Sequence, residues 1–192
     1  ERLPERWRDT GPRIVRDGDA EFWAYEDREI VTTGLNAVAG KTREEFSPEP
    51  ITYDDMRPGC YEPAARVADM DQGHVLSSIL FPSLPRYCGQ IFHEAKDKEL
   101  ALLCVRAWND FILEEFAQAY PGRFIPMMII PLWDPVAAAA EIERTAARGA
   151  KSIAFSENPT KLGLPSIHTE FWDPVFRACD ETGFVVSMHV GS

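Results

Sequence analysis

From residue 62 onward the apolar positions of the chain follow two alternating patterns. Segments with apolar residues three and four apart predict helices, and short runs that are apolar nearly throughout predict strands covered on both faces. EPAARVADMDQG (62–73) reads as a helix with Pro63 in its first turn and Gly73 as its stop, Val67 and Met70 anchoring its apolar face. VLSSILF (75–81) reads as a strand ended by Pro82, and PSLPRYCGQIFHEA as a loop. A long helix follows over 96–120, then RFIPMMIIPLW (123–133) as a strand. The cycle repeats with Asp134 as N-cap, Pro135 in the first turn, a helix to Gly149, strand KSIAFS (151–156), and loop ENPTKLGLPS. Helix TEFWDPVFRACDETG and strand FVVSMHV (184–190) close the series. Strands alternating with amphipathic helices predict parallel βαβ units, so the fold class is α/β.

The first 60 residues lack this grammar. Two alternating segments around Asp17-Gly18 and Asp27-Arg28 predict a small antiparallel hairpin or meander. Residues 39–60 carry no sustained period. The expected division is an insertion or cap over 1–60 beside a barrel portion over 61–192. No G-x-G-x-x-G or G-x-x-x-x-G-K-[ST] cradle is present, which removes the dinucleotide and P-loop readings. Alternation along FVVSMHV sets Val185, Ser187 and His189 on one side and Phe184, Val186 and Met188 on the other. The first set suits a barrel interior and the second a helix-facing layer. A (β/α)8 barrel takes about 250 residues, so four readable strands in 192 residues predict an incomplete one.

Composition narrows the partners. A net charge of -11 and a pI near 4.8 argue against nucleic acid. No apolar stretch reaches the roughly 18–20 residues of a membrane span, and the charged start ERLPERWRDTGPR is not a signal peptide. Cys60, Cys88, Cys104 and Cys179 are widely spaced without a C-x-x-C pair, which predicts reduced thiols and a cytoplasmic location.

Candidate chemistry centres on the four histidines. His189 ends a strand, where α/β folds place reactive groups; a buried structural histidine is the competing reading. His93, Arg86 and Glu157 fall in loops at the same predicted end, and Arg57 or Arg86 could hold a substrate carboxylate. His74 reads as structural and His168 as a capping or surface residue. Asp69 and Asp71 read as solvated, and Asn109-Asp110 as a structural pair that binds neighbouring backbone. Ser83, Ser156 and Ser192 have no His/Asp arrangement that would make a nucleophile, and no HxH or HExxH motif is present.

YEPAARVADMDQGHVLSSILFPS, LCVRAWNDFILEEFAQAYPGRFIPMMIIPLWDPVAAAAEIERTAARGAKSIAFSENP and FWDPVFRACDETGFVVSMHVGS together resemble the amidohydrolase superfamily. The resemblance covers about 53–192 and is nearest the branch of aminocarboxymuconate-semialdehyde decarboxylase and related hydrolases and decarboxylases. It implies a distorted (β/α)8 barrel, of which strands about 2 to 5 would be present. It also implies a divalent metal, often zinc, at the strand C-termini, a small and possibly aromatic carboxylic substrate, and a homodimer or larger assembly. Of the implied ligands only the fifth-strand histidine maps here, onto His189. The first-strand HxH would lie before Glu1, and the later His and Asp after Ser192. Trp7, Trp23 and Tyr25 would belong to a cap over the barrel mouth. The alternative to an enzyme is a non-catalytic α/β ligand-binding or interaction domain with a structural His189.

Overall fold

The turn-rich segments around Asp17-Gly18 and Asp27-Arg28 fold into a three-stranded antiparallel meander: β1 (Arg13–Asp17), β2 (Ala20–Tyr25) and β3 (Arg28–Val31). Ile14 lies opposite Trp23, and Trp23 opposite Ile30. Gly18 takes the left-handed φ of +59° that the tight β1–β2 turn demands. The computed structural model describes residues 2–190 and divides into two compact units, Glu1–Val75 and Leu76–Ser192.

In the first unit, the segment without hydrophobic period is tied to the meander by backbone and side-chain bonds. Ile51 N–H donates to Thr32 O (2.9 Å), Tyr53 N–H to the Glu21 carboxylate (2.7 Å), and Trp23 Nε1–H to the Tyr53 hydroxyl (3.1 Å). Two single-turn 3₁₀ helices begin with reciprocal capping boxes, Thr42 with Glu45 and Thr52 with Asp55. α1 (Pro63–Gln72) starts with Pro in its first turn and buries Met70, as its sequence implies.

The capping boxes carry a pH signature. Both carboxylates are held below their ordinary values, first by the backbone N–H of the capping threonine and then by its hydroxyl. A depressed carboxylate contributes stability that is complete above its unfolded value and is lost as pH falls through the lower folded one. The Asp55 carboxyl is therefore expected to titrate in the folded protein with a midpoint below 3.8, and Thr52→Ala to return it toward that value. Carboxyl-carbon NMR against pH reads both; a wild-type midpoint at 3.8 would contradict the box.

The second unit holds the parallel strands. β4 (Ser78–Leu80) pairs with β5 (Phe124–Pro126), Ile79 opposite Ile125. A parallel bridge between Met128 and Ile153 joins β5 to β6 (Ser152–Ser156), which pairs with β7 (Val185–His189). Neighbours in space are therefore neighbours in sequence, β4-β5-β6-β7. That is the order of a barrel arc, whereas a doubly wound sheet reverses at a switch point. The expected strands 75–81 and 123–133 shrink to three ladder residues each, because only there do both segments run side by side.

Helices return the chain between strands. α2 (Gln90–His93) is a short turn inside the expected loop, too brief to show a period. α3 (Lys98–Phe111) is capped by Asp97, which accepts the Leu100 N–H, and widens into π-helical turns over Ile112–Gln118. α4 (Pro135–Ala146) is capped by Asp134 through the Val136 and Ala137 N–H groups (3.1 and 2.9 Å). α5 (Asp173–Thr182) also has Pro in its first turn, but here Asp173 is already helical and makes no cap bond.

Ile153 and Phe155 of β6, with Met128 and Ile130, face α4 and α5 in one core that includes Ile142, Trp172, Val175 and Phe184. Val186 packs against it as alternation implies, whereas Met188, assigned to the same layer, is half exposed. β7 has a single ladder partner among the described residues, so its outer edge stays open. The four cysteines are free. Burial pushes the Cys179 thiol up to about 11, which keeps it protonated and unreactive. Among the described residues no helix is long and apolar enough to cross a membrane.

Candidate functional site

β6 and β7 end side by side, Ser156 opposite His189. Ser156 is fully buried, and its Oγ accepts the Asn158 N–H (3.1 Å), which turns the chain away from the strand end. His189 remains partly accessible. Its Nδ1–H donates to the Val190 carbonyl (2.6 Å), so the neutral ring carries its lone pair on Nε2. Two aromatic rings hold the imidazole. Tyr87 stacks on it, centroids 3.7 Å apart and planes within 14°, and Phe81 meets it edge-on at 5.2 Å.

Both rings come from the end of β4 and the loop after it. Ser83 O accepts the Arg86 N–H (3.0 Å) and Arg86 O the Gly89 N–H (3.3 Å), closing two successive turns. Arg86 and Gly89 both take left-handed φ, +56° and +83°. Gly89 lies against Ile129, where a Cβ would sit 3.5 Å from the Ile129 Cβ, so the loop is seated on the chain that continues β5. Tyr87 is legible in the sequence only as a neighbour of Arg86 and His93 in this loop, and Phe81 does not stand out. The closely spaced Pro82, Pro85 and Gly89 were the available sign of a shaped loop.

The other candidates take different places. His93 is partly buried, and its Nε2–H donates to the Leu162 carbonyl (2.9 Å), which ties α2 to the loop after β6. Its Nδ1 is buried without a hydrogen-bond partner among the described residues. Glu157 follows β6 and lies 3.4 Å from Lys161 Nζ. Arg86 is exposed on the loop that carries Tyr87. Arg57 belongs to the first unit, where its guanidinium grips Asp69 in a two-pronged pair at 2.9 and 2.5 Å. Asp69 is therefore paired, where its sequence position suggested a solvated carboxylate. His74 takes a left-handed φ of +55° after α1, the structural place expected of it, and His168 is exposed. Ser192 lies outside the described residues.

The residues at this strand end fit a metal only in part. The donor chemistry of His189 suits a cation, with Nδ1 fixed by a carbonyl and Nε2 without a hydrogen-bond partner among the described residues. No group of three His, Cys, Asp or Glu residues that could hold an ion exists among the described residues. The described residues thus offer one imidazole ligand and not a closed site.

A family model for amidohydrolases matches residues 17–192. An amidohydrolase from Mycobacterium avium subsp. paratuberculosis K-10 superposes with a TM-score of 0.72 at 23% identity, covering 100% of this chain and 55% of its own. A 5-carboxyvanillate decarboxylase from Novosphingobium aromaticivorans DSM 12444, with manganese and a methoxy-hydroxy-nitrobenzoic acid bound, gives 0.51 at 30% identity over 65% of this chain and 33% of its own. A 2,6-dihydroxybenzoate decarboxylase from Rhizobium gives 0.52 at 22% identity, over 65% and 38%. The chain thus spans about half or less of the length of these structures. No curated protein matches the sequence.

Proposed function

The chain belongs to the amidohydrolase family, and from that premise we propose that it forms part of the barrel of a metal-dependent hydrolase or decarboxylase acting on a small aromatic carboxylic acid. In this reading β4 to β7 are strands 2 to 5 of the barrel and His189 is the metal ligand of the fifth. The observation that carries it is His189 itself: a strand-end imidazole with its tautomer set by Val190 and its Nε2 without a partner among the described residues.

A divalent ion bound there supplies Lewis acidity, polarising a substrate oxygen or acidifying water. The chain's own residues hold and frame that place. Val190 fixes the proton on Nδ1, and Phe81 and Tyr87 cover the imidazole with apolar surface. Arg86 supplies a guanidinium that can take a carboxylate through two parallel hydrogen bonds. An imidazole ligand suits zinc, while the Novosphingobium decarboxylase holds manganese. Two decarboxylases of ring-bearing acids among the similar structures favour decarboxylation over hydrolysis.

The full-length protein loaded with zinc or manganese is expected to release CO2 from a hydroxybenzoate, and chelation to abolish that release until metal is restored. Turnover that survives complete metal removal would sink the proposal. The competing structural role for His189 draws on the same two rings, since an imidazole packed by aromatics can serve folding alone. It predicts unchanged metal content when the ring is removed.

A further inference from the structure

We propose that Tyr87 is a positioning residue for His189, fixing the plane of the imidazole and hence the direction in which Nε2 points. The inference rests on the reading of His189 as a functional ligand and adds to it a residue outside the strand. A hydrogen bond from Nδ1 to Val190 sets the tautomer, but it leaves the ring free to rock about that bond. A stacked face at 3.7 Å with planes within 14° removes that freedom, and the Phe81 edge at 5.2 Å limits movement on another side.

The loop is built to deliver this one side chain. Arg86, immediately before Tyr87, holds φ at +56°, a conformation costly for a residue with a Cβ and concentrated at places where geometry matters more than ease. Two residues later Gly89 takes φ +83° against Ile129, and the intervening Cys88 is fully buried. Tyr87 is thus presented between two anchored turns, yet the residue is 40% exposed. Core packing alone gives little reason for an aromatic there. Catalytic and ligand groups need their orientation held by neighbouring side chains, because small misplacements reduce rate steeply.

The test uses the full-length protein with Tyr87→Leu and Tyr87→Phe, with His189→Ala as reference. In histidine-labelled protein the stacked ring shifts the His189 carbon-bound proton resonances upfield. Tyr87→Leu is expected to remove that shift and to lower kcat about tenfold with KM little changed, as for a misaligned group. Tyr87→Phe keeps the ring and is expected to retain both the shift and kcat, a rescue that a role for the hydroxyl would not give. A Tyr87→Leu protein that loses the shift and keeps wild-type kcat overturns the proposal, as does a wild-type spectrum with no upfield shift. Wild-type activity in His189→Ala defeats instead the reading of His189 as a ligand, and the resonance arm still reports the stack by itself.

Discussion

Asn109→Ala is expected to destabilise the second unit by about 4 kcal/mol, read as a lower denaturant midpoint. Asn109 is fully buried on α3 and acts as a strand edge for Ile129. Its Nδ2 donates to Ile129 O (2.9 Å) and its Oδ1 accepts the Ile129 N–H (3.0 Å). The second Nδ2 proton goes to Glu141 Oε1 (2.7 Å), a carboxylate that is 1% exposed. Arg144 closes the network with a two-pronged bond to Glu141 (2.8 and 2.7 Å) and a third to Asp110 (2.7 Å). The Glu141 carboxylate, ahead of Asp110, holds the Arg144 guanidinium still further above its ordinary range. Alanine leaves both polar groups of Ile129 without a partner in the interior and withdraws a donor from a buried charge. Each such orphan costs about 1–3 kcal/mol. Asp110→Ala is the contrast: its bonds to Arg144 and Arg148 lie nearer solvent, so a loss of about 1 kcal/mol or less is expected. Equal midpoints for wild type and Asn109→Ala would remove the strand-edge role.

How far the sequence showed this depends on the range over which each signal acts. Local rules read well. Asp134 caps α4, β6 and β7 fall within a residue of their apolar runs, and the meander turns at Asp17-Gly18. Of the pair Asn109-Asp110, read as a structural group binding neighbouring backbone, Asn109 does so, because a buried amide on an apolar helix face must find backbone partners, whereas Asp110 pairs with the Arg144 and Arg148 side chains. Signals that depend on a partner far along the chain read poorly. The apolar runs 75–81 and 123–133 could not show that only three residues of each would pair with the other. Nothing in spacing links Arg57 to Asp69, His93 to Leu162, or Tyr87 to His189. His189 was legible for a different reason: its place at a strand end is a property of the fold class and needs no knowledge of its neighbours. The rings that frame it belong to a loop whose path is set by left-handed turns at Arg86 and Gly89.

His189→Ala in the full-length protein is expected to lower bound divalent metal below stoichiometric and to cut kcat/KM about 10³-fold, roughly 4 kcal/mol of transition-state stabilisation. The expectation follows from the ring's situation. Its Nδ1 proton is committed to Val190, it is partly accessible, and it lies at the end of β7 beside Ser156. Removing an imidazole that packs against Tyr87 and Phe81 at an open strand end costs little folding energy, so the variant should keep the wild-type denaturant midpoint to within about 1 kcal/mol. Loss of metal with the fold intact is what separates a ligand from a structural ring. Two further variants make the comparison specific. His168 is exposed and its removal should change neither metal nor rate. His93→Ala breaks the link to Leu162, loosening α2 from the loop after β6, and should lower stability while leaving metal content near wild type. Metal and activity equal to wild type in His189→Ala would return the residue to a structural role. Metal lost in His93→Ala but retained in His189→Ala would move the candidate centre to the buried Nδ1 of His93.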